Sequence, residues 1–139
     1  MKTIIKASLF SIMTLVTANA LAEVAVIVHP GNSASLAKDD VERIYLGKVK
    51  TFPGGDAVTP LNLPEGHATR TEFDQTLVGK SPSQLKAFWS KQVFTGKGTP
   101  PDEVADATAM KAKVSSDPSA VGYVDAADVD GSVRVVGTF

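Results

Sequence analysis

Pro64-Glu65-Gly66-His67-Ala68-Thr69-Arg70 is the stretch whose residue types best suit the binding of an oxyanion. It leads from a strand-like run into a helix start. The first amides of a helix have no partner inside it, and the aligned peptide dipoles place partial positive charge there. Gly66 and Ala68 let an anion come close to the backbone. Thr69 offers a hydroxyl, and Arg70 a forked cation that matches phosphate or carboxylate. The same residues also read as plain capping: Thr69-Arg70-Thr71-Glu72 has the form of a capping box, in which Thr69 and Glu72 occupy two of those amides. A second loop of the same kind, His29 to Ser33, follows the first strand. Asn32 and Ser33 therefore join Gly66, His67, Ala68, Thr69 and Arg70 as candidate ligand-binding residues.

Other chemistry finds little support. His29 and His67 are the only histidines, there is no cysteine, and no H-E-x-x-H spacing exists, so no metal site and no cofactor are expected. No serine sits in G-x-S-x-G, and Gly96-Lys97-Gly98 lacks a phosphate-loop frame. The acidic pairs Asp39/Asp40 and Asp128/Asp130 have surface character. A non-enzymatic protein is expected.

The elements that would position the two loops follow from periodicity and punctuation. Val24 to Val28 is a continuous β-branched run ending at His29-Pro30-Gly31, as a strand buried on both faces would be. Val41, Ile44 and Tyr45 mark a helix starting at Asp39 or Asp40 and ended by Gly47. Phe52-Pro53-Gly54-Gly55-Asp56 is a turn, and Val58 to Leu63 a second strand. Three helices are then predicted. One starts at Thr69, with Phe73 and Leu77 inward. One starts at the capping box Ser81-Pro82-Ser83-Gln84, with Leu85, Phe88, Trp89 and Val93 as its core face. One starts at Thr99-Pro100-Pro101-Asp102 and buries Val104, Ala107, Met110 and Val114. Ala120 to Val124 and Ser132 to Val136 are the last strands. The order β-α-β-α-α-α-β-β predicts an α/β fold, a mixed sheet flanked by helices, with ligands at strand ends.

Residues 1–22 differ from the rest. Lys2 and Lys6 precede an apolar stretch from Ala7 to Thr17, and Ala20-Leu21-Ala22 fits a leader-peptidase site. The expectation is a signal peptide cut after Ala22 and a periplasmic protein of one domain, residues 23–139. Removing the two leader lysines leaves 12 basic residues against 15 acidic ones. No basic cluster stands out, which speaks against a nucleic-acid partner.

Three segments resemble the substrate-binding proteins of phosphate ABC transporters. Asp40-Val-Glu-Arg-Ile-Tyr-Leu-Gly-Lys48 is similar to that family's l-x-x-I-F-x-G-K helix. Gly66-His67-Ala68-Thr69-Arg70 stands where the family has its anion loop S-G-T-R. Val114-Ser-Ser-Asp-Pro-Ser-Ala-Val-Gly-Tyr-Val124 is similar to V-x-x-x-P-x-A-I-G-Y-V. His67 replaces the motif's serine, Ala68 its glycine, and Leu63 an arginine found in some members. The resemblance implies one lobe of a type 2 periplasmic-binding-protein-like fold. It also implies phosphate or a similar oxyanion as ligand and an ABC transporter permease as partner. Members of the family have two lobes, so self-association or a partner lobe is expected to complete the cleft. The alternative is an accessory or protein-interaction module on the same fold, with the loop reduced to a helix cap.

Overall fold

The computed structural model describes residues 23–139. The expected leader and its cut after Ala22 lie outside the described residues. The strands are β1 (Val24–Val28), β2 (Thr59–Asn62), β3 (Asp102–Glu103), β4 (Ala120–Asp125) and β5 (Arg134–Thr138). The helices are α1 (Lys38–Tyr45), α2 (Ala68–Phe73), α3 (Pro82–Phe94) and α4 (Ala107–Ser116). A π-helical turn, Asp74–Val78, continues α2 and ends at Gly79, whose φ of 71° closes the helix in the left-handed region.

The α/β architecture is the one predicted, with a mixed five-stranded sheet in the order β3-β2-β4-β1-β5. β1 lies between β4 and β5, and all five of its residues are buried, as its unbroken apolar run requires. β2 runs parallel to β3 and β4, whereas β1 is antiparallel to β4 and β5. Val28 is paired with Val121, which also pairs with Pro60 at the start of β2. The end of β1 and the end of β2 therefore lie at opposite ends of the sheet's strands.

α4 packs on β4 because Gly122 leaves room for it. A Cβ there would run into the Met110 thioether and approach Val114 Cγ2 to 3.1 Å. The neighbouring Tyr123 points into the core, where its ring stacks on Phe73 with centroids 3.7 Å apart and Tyr45 meets Phe73 edge-on at 4.6 Å. The glycine-tyrosine pair thus has two distinct jobs, one on each face of β4.

Two expectations are corrected, one boundary and one core face. Thr99-Pro100-Pro101-Asp102 does not open a helix: Asp102 and Glu103 pair with β2 as an edge strand, and α4 starts after Asp106, whose carboxylate accepts the Ala109 amide at 2.8 Å. Val104 accordingly lies outside the helix and is only half-buried. The α3 stripe is not a core face. Leu85 is buried, Phe88 and Trp89 are half-buried, and Val93 is 53 % exposed. The capping box at Ser81 forms as expected, with Ser81 and Gln84 exchanging side chain-to-amide bonds.

Candidate functional site

The loop after β2 is anchored by its first residue. The Leu63 amide donates to Tyr123 Oη at 3.2 Å, and the Leu63 carbonyl accepts from Arg70 Nη1 at 2.8 Å. Tyr123 Oη in turn bonds Asn62 Oδ1, which satisfies an asparagine side chain buried beside the core. Burial pushes the ionisation of Tyr123 far above that of an ordinary phenol, against the opposing pull of the Leu63 amide and Arg70. It therefore keeps its proton for Asn62.

From there the chain turns at Gly66, whose φ of 88° suits glycine. The cap that follows is not the predicted box. His67 has extended backbone angles, and its Nδ1 accepts the Thr69 amide at 3.2 Å, so His67 is the N-cap and Thr69 lies inside the first turn. Glu72 accepts from the Thr76 hydroxyl instead of reaching back. The sequence pattern is ambiguous because a ring nitrogen two residues upstream fills the role a threonine hydroxyl would take. The turn's other backbone bonds run from the His67 amide to Pro64 O and from the Thr71 amide to His67 O. The amides of Ala68 and Arg70 have no protein acceptor among the described residues.

Arg70 differs from a freely offered cation. Its Nε donates to Asp74 Oδ2 at 2.9 Å, and its Nη1 donates both to Leu63 O and, at 3.2 Å, to Glu103 Oε1. The side chains of Arg70 and Asp74 are 15 % and 5 % exposed. Burial works against the charge of Arg70, but Asp74 and Glu103 outweigh it and strengthen its hold on the proton. Burial raises the pKa of Asp74 above the ordinary carboxylate value. Arg70 offsets this only in part, and Glu65 adds to it. Asp74, Glu103 and the Leu63 carbonyl were missed in the sequence. The i, i+4 spacing of Arg70 and Asp74 carried a signal, whereas nothing local links Glu103 to position 70.

Beside this cluster runs an open groove of about 570 Å³. Glu65, Arg70 and Glu103 border it on one side, and Leu85, Trp89 and Val93 of α3 on the other. Phe94, at the end of α3, is 93 % exposed on its rim.

Asn32 and Ser33 do not join the other five candidate residues. They lie at the opposite end of the sheet's strands, next to the start of β4, where Asn32 Nδ2 donates to Pro118 O at 3.4 Å. That loop is held by its own bonds: Gly31 amide to His29 Nδ1, Asn32 amide to His29 O, and Ala34 amide to Asn32 Oδ1. Arg134 Nη1 ties down the carbonyls of Asn32 and Ala34. Among the described residues no three His, Asp or Glu side chains converge as metal ligands would.

This arrangement of sheet, helices and strand-end loop has counterparts among solved structures. An ABC-type phosphate transport receptor from Vibrio cholerae superposes with a TM-score of 0.64 at 20 % identity over 83 % of this chain and 46 % of its own. A phosphate ABC transporter substrate-binding protein from Clostridium perfringens, crystallised with bound phosphate, gives 0.64 at 22 % identity, over 83 % and 45 %. PstS from Borrelia burgdorferi gives 0.59 at 12 % identity, over 83 % and 47 %. The fold is that of part of a phosphate-binding protein. The chain spans less than half the length of these structures. No protein-family model matches the sequence, and no curated protein is significantly similar to it.

Proposed function

We propose that the protein is an exported solute-binding protein for phosphate or a similar oxyanion, cut after Ala22 and working with an ABC transporter permease, and that the Gly66–Arg70 loop is its ligand site. The observation that carries this reading is the pairing of two amides without protein acceptors, Ala68 and Arg70, with a guanidinium docked on the carbonyl of Leu63. Unpaired helix-start amides and a guanidinium are both donors suited to an oxyanion. The resemblance gave Leu63 the place of an arginine found in some phosphate-binding proteins. Here Arg70 brings a guanidinium to that same strand end from the following helix. Asn32 and Ser33 have no part in this site, because they lie at the opposite end of the sheet's strands.

Asp74, Glu103 and Glu65 surround the guanidinium with negative charge, so one lobe alone should bind an anion weakly. A second copy of the chain or a partner lobe would complete the cleft. The second reading, an accessory or interaction module without anion binding, is favoured by the open groove and the exposed Phe94 on its rim. Titration calorimetry with phosphate, and sulfate for comparison, separates the two. Saturable heat with phosphate preferred supports the first reading; silence at millimolar phosphate selects the second.

A further inference from the structure

The guanidinium of Arg70 can be accounted for hydrogen by hydrogen. It has five N–H donors. Nε is on Asp74, the two Nη1 hydrogens face Leu63 O and Glu103 Oε1, and Nη2 has no acceptor among the described residues. A forked contact to an oxyanion needs two neighbouring donors. With Nε and Nη1 both engaged, Nη2 alone remains, and the contact can be only single-sided.

The two carboxylates differ in how firmly they are held. Asp74 lies one turn along the same helix, 5 % exposed, and the buried Arg70–Asp74 pair is part of the fold. Glu103 is 53 % exposed and sits on a two-residue edge strand. An ion pair with one partner in solvent contributes little and is readily exchanged. Leu63 O belongs to the backbone just after β2, where Tyr123 Oη holds the Leu63 amide, and cannot leave. Glu103 is thus the one acceptor on Arg70 that another anion can displace.

We infer that Glu103 is the affinity-setting residue of this site: its carboxylate is a built-in competitor on Arg70, and an oxyanion gains a forked contact only by displacing it. This rests on the oxyanion reading proposed above. It also predicts that the affinity of the unaltered protein is held down by its own side chain, and not only by the open side of the cleft.

The experiment is phosphate calorimetry on the protein and on Glu103→Gln, with Asp102→Asn as control. Asp102 is the exposed neighbour on the same strand, and its substitution changes the net charge equally. Glu103→Gln should lower the phosphate Kd about five- to tenfold, the loss of one competing charge-assisted contact. Asp102→Asn should leave it within about twofold, since it removes only screened, longer-range repulsion. Thermal melting of both variants should match the unaltered protein. Binding that is unchanged or weaker in Glu103→Gln, or equally improved in both variants, overturns the inference and leaves the oxyanion reading standing. No phosphate heat in any of the three proteins overturns the oxyanion reading, and this inference falls with it.

Discussion

At one end of the sheet's strands His67 Nδ1 accepts the amide of Thr69, two residues on; at the other end, His29 Nδ1 accepts the amide of Gly31, also two residues on. The two loops share this ring-to-amide bond, which caps a helix only at His67, and each is gripped by an arginine. They differ in what that arginine holds. Arg134 donates to two backbone carbonyls, and the amides of Gly31, Asn32 and Ala34 are taken up by His29 and Asn32, which leaves that of Ser33 without a protein acceptor among the described residues. Arg70 holds one carbonyl and two carboxylates, and amides beside it lack protein acceptors. Both loops keep a spare amide, but only the second sets its spare donors beside an excess of negative charge. A cap by itself therefore says little about binding; the balance of donors and charges around it decides.

The comparison breaks most visibly at the two arginines. Arg70→Ala should destabilise the fold by about 3–5 kcal/mol, because it leaves Asp74 buried without a partner. Arg134→Ala should cost about 1–2 kcal/mol, since it removes hydrogen bonds to carbonyls but strands no charge. Urea unfolding checks both. Equal losses would mean that the Arg70 pair is solvated in solution. A loss of this size also makes Arg70→Ala unsuitable as a simple test of binding, despite the position of Arg70 at the loop.

Tyr123→Phe comes next, at about 1–3 kcal/mol. It keeps the stacked ring but leaves Asn62 Oδ1 and the Leu63 amide without their partner. Because Leu63 also receives Arg70, this variant should loosen the Gly66–Arg70 loop and leave the His29 loop intact. Amide hydrogen exchange would show faster exchange at Leu63 and Thr69, with Gly31 unchanged. Faster exchange at both ends would mean that the hydroxyl supports the sheet as a whole.

What the sequence revealed about these two ends was local. The β1 run, the Gly47 stop and the Ser81 capping box each depend on neighbours within a few residues, and each is found in the structure. Strand direction is not local. An apolar run reads the same whichever way its partners run, so the sequence hides the reversal of β1, which puts the His29–Ser33 loop at the strand end opposite the Gly66–Arg70 loop. The stripe on α3 identified an apolar face but not what lies against it, and most of that face borders an open groove. At the candidate site, residue types picked out the loop and its arginine. Glu103 reaches Arg70 from 33 positions away, through a parallel pairing that two acidic residues do not advertise.

The shared ring-to-amide bond gives a smaller prediction. His67→Ala should cost about 1 kcal/mol, the usual value of a lost helix cap, and His29→Ala about 1 kcal/mol or less, the net worth of one loop hydrogen bond. If the loops differ as described, the first should also alter any phosphate binding and the second should not. Thr69→Ala should cost less than His67→Ala, because Thr69 lies within the helix and does not cap it.

The smallest effect, and the one that most sharpens the contrast, is in pH dependence, where the two ends carry carboxylates shifted in opposite directions. Burial raises Asp74, an effect that Arg70 only partly cancels. The folded chain then holds this proton more tightly than the unfolded chain does. Its contribution to stability is greatest in acid and falls as pH rises from the ordinary carboxylate value through the raised one. Asp117, beside the Asn32 loop, is lowered chiefly by the Ser119 hydroxyl, with the Ser119 amide adding to it. Its contribution is present above the ordinary value and is lost as pH falls through the lowered one. Unfolding curves across the carboxylate range, compared with Asp74→Asn and Asp117→Asn, separate the two. The advantage of the unaltered protein over Asp74→Asn should shrink as pH rises, and its advantage over Asp117→Asn should shrink as pH falls. If the first difference instead grows with pH, the attraction of Arg70 outweighs burial at Asp74. The charge around the Gly66–Arg70 loop would then be less unfavourable to an oxyanion than its three carboxylates suggest.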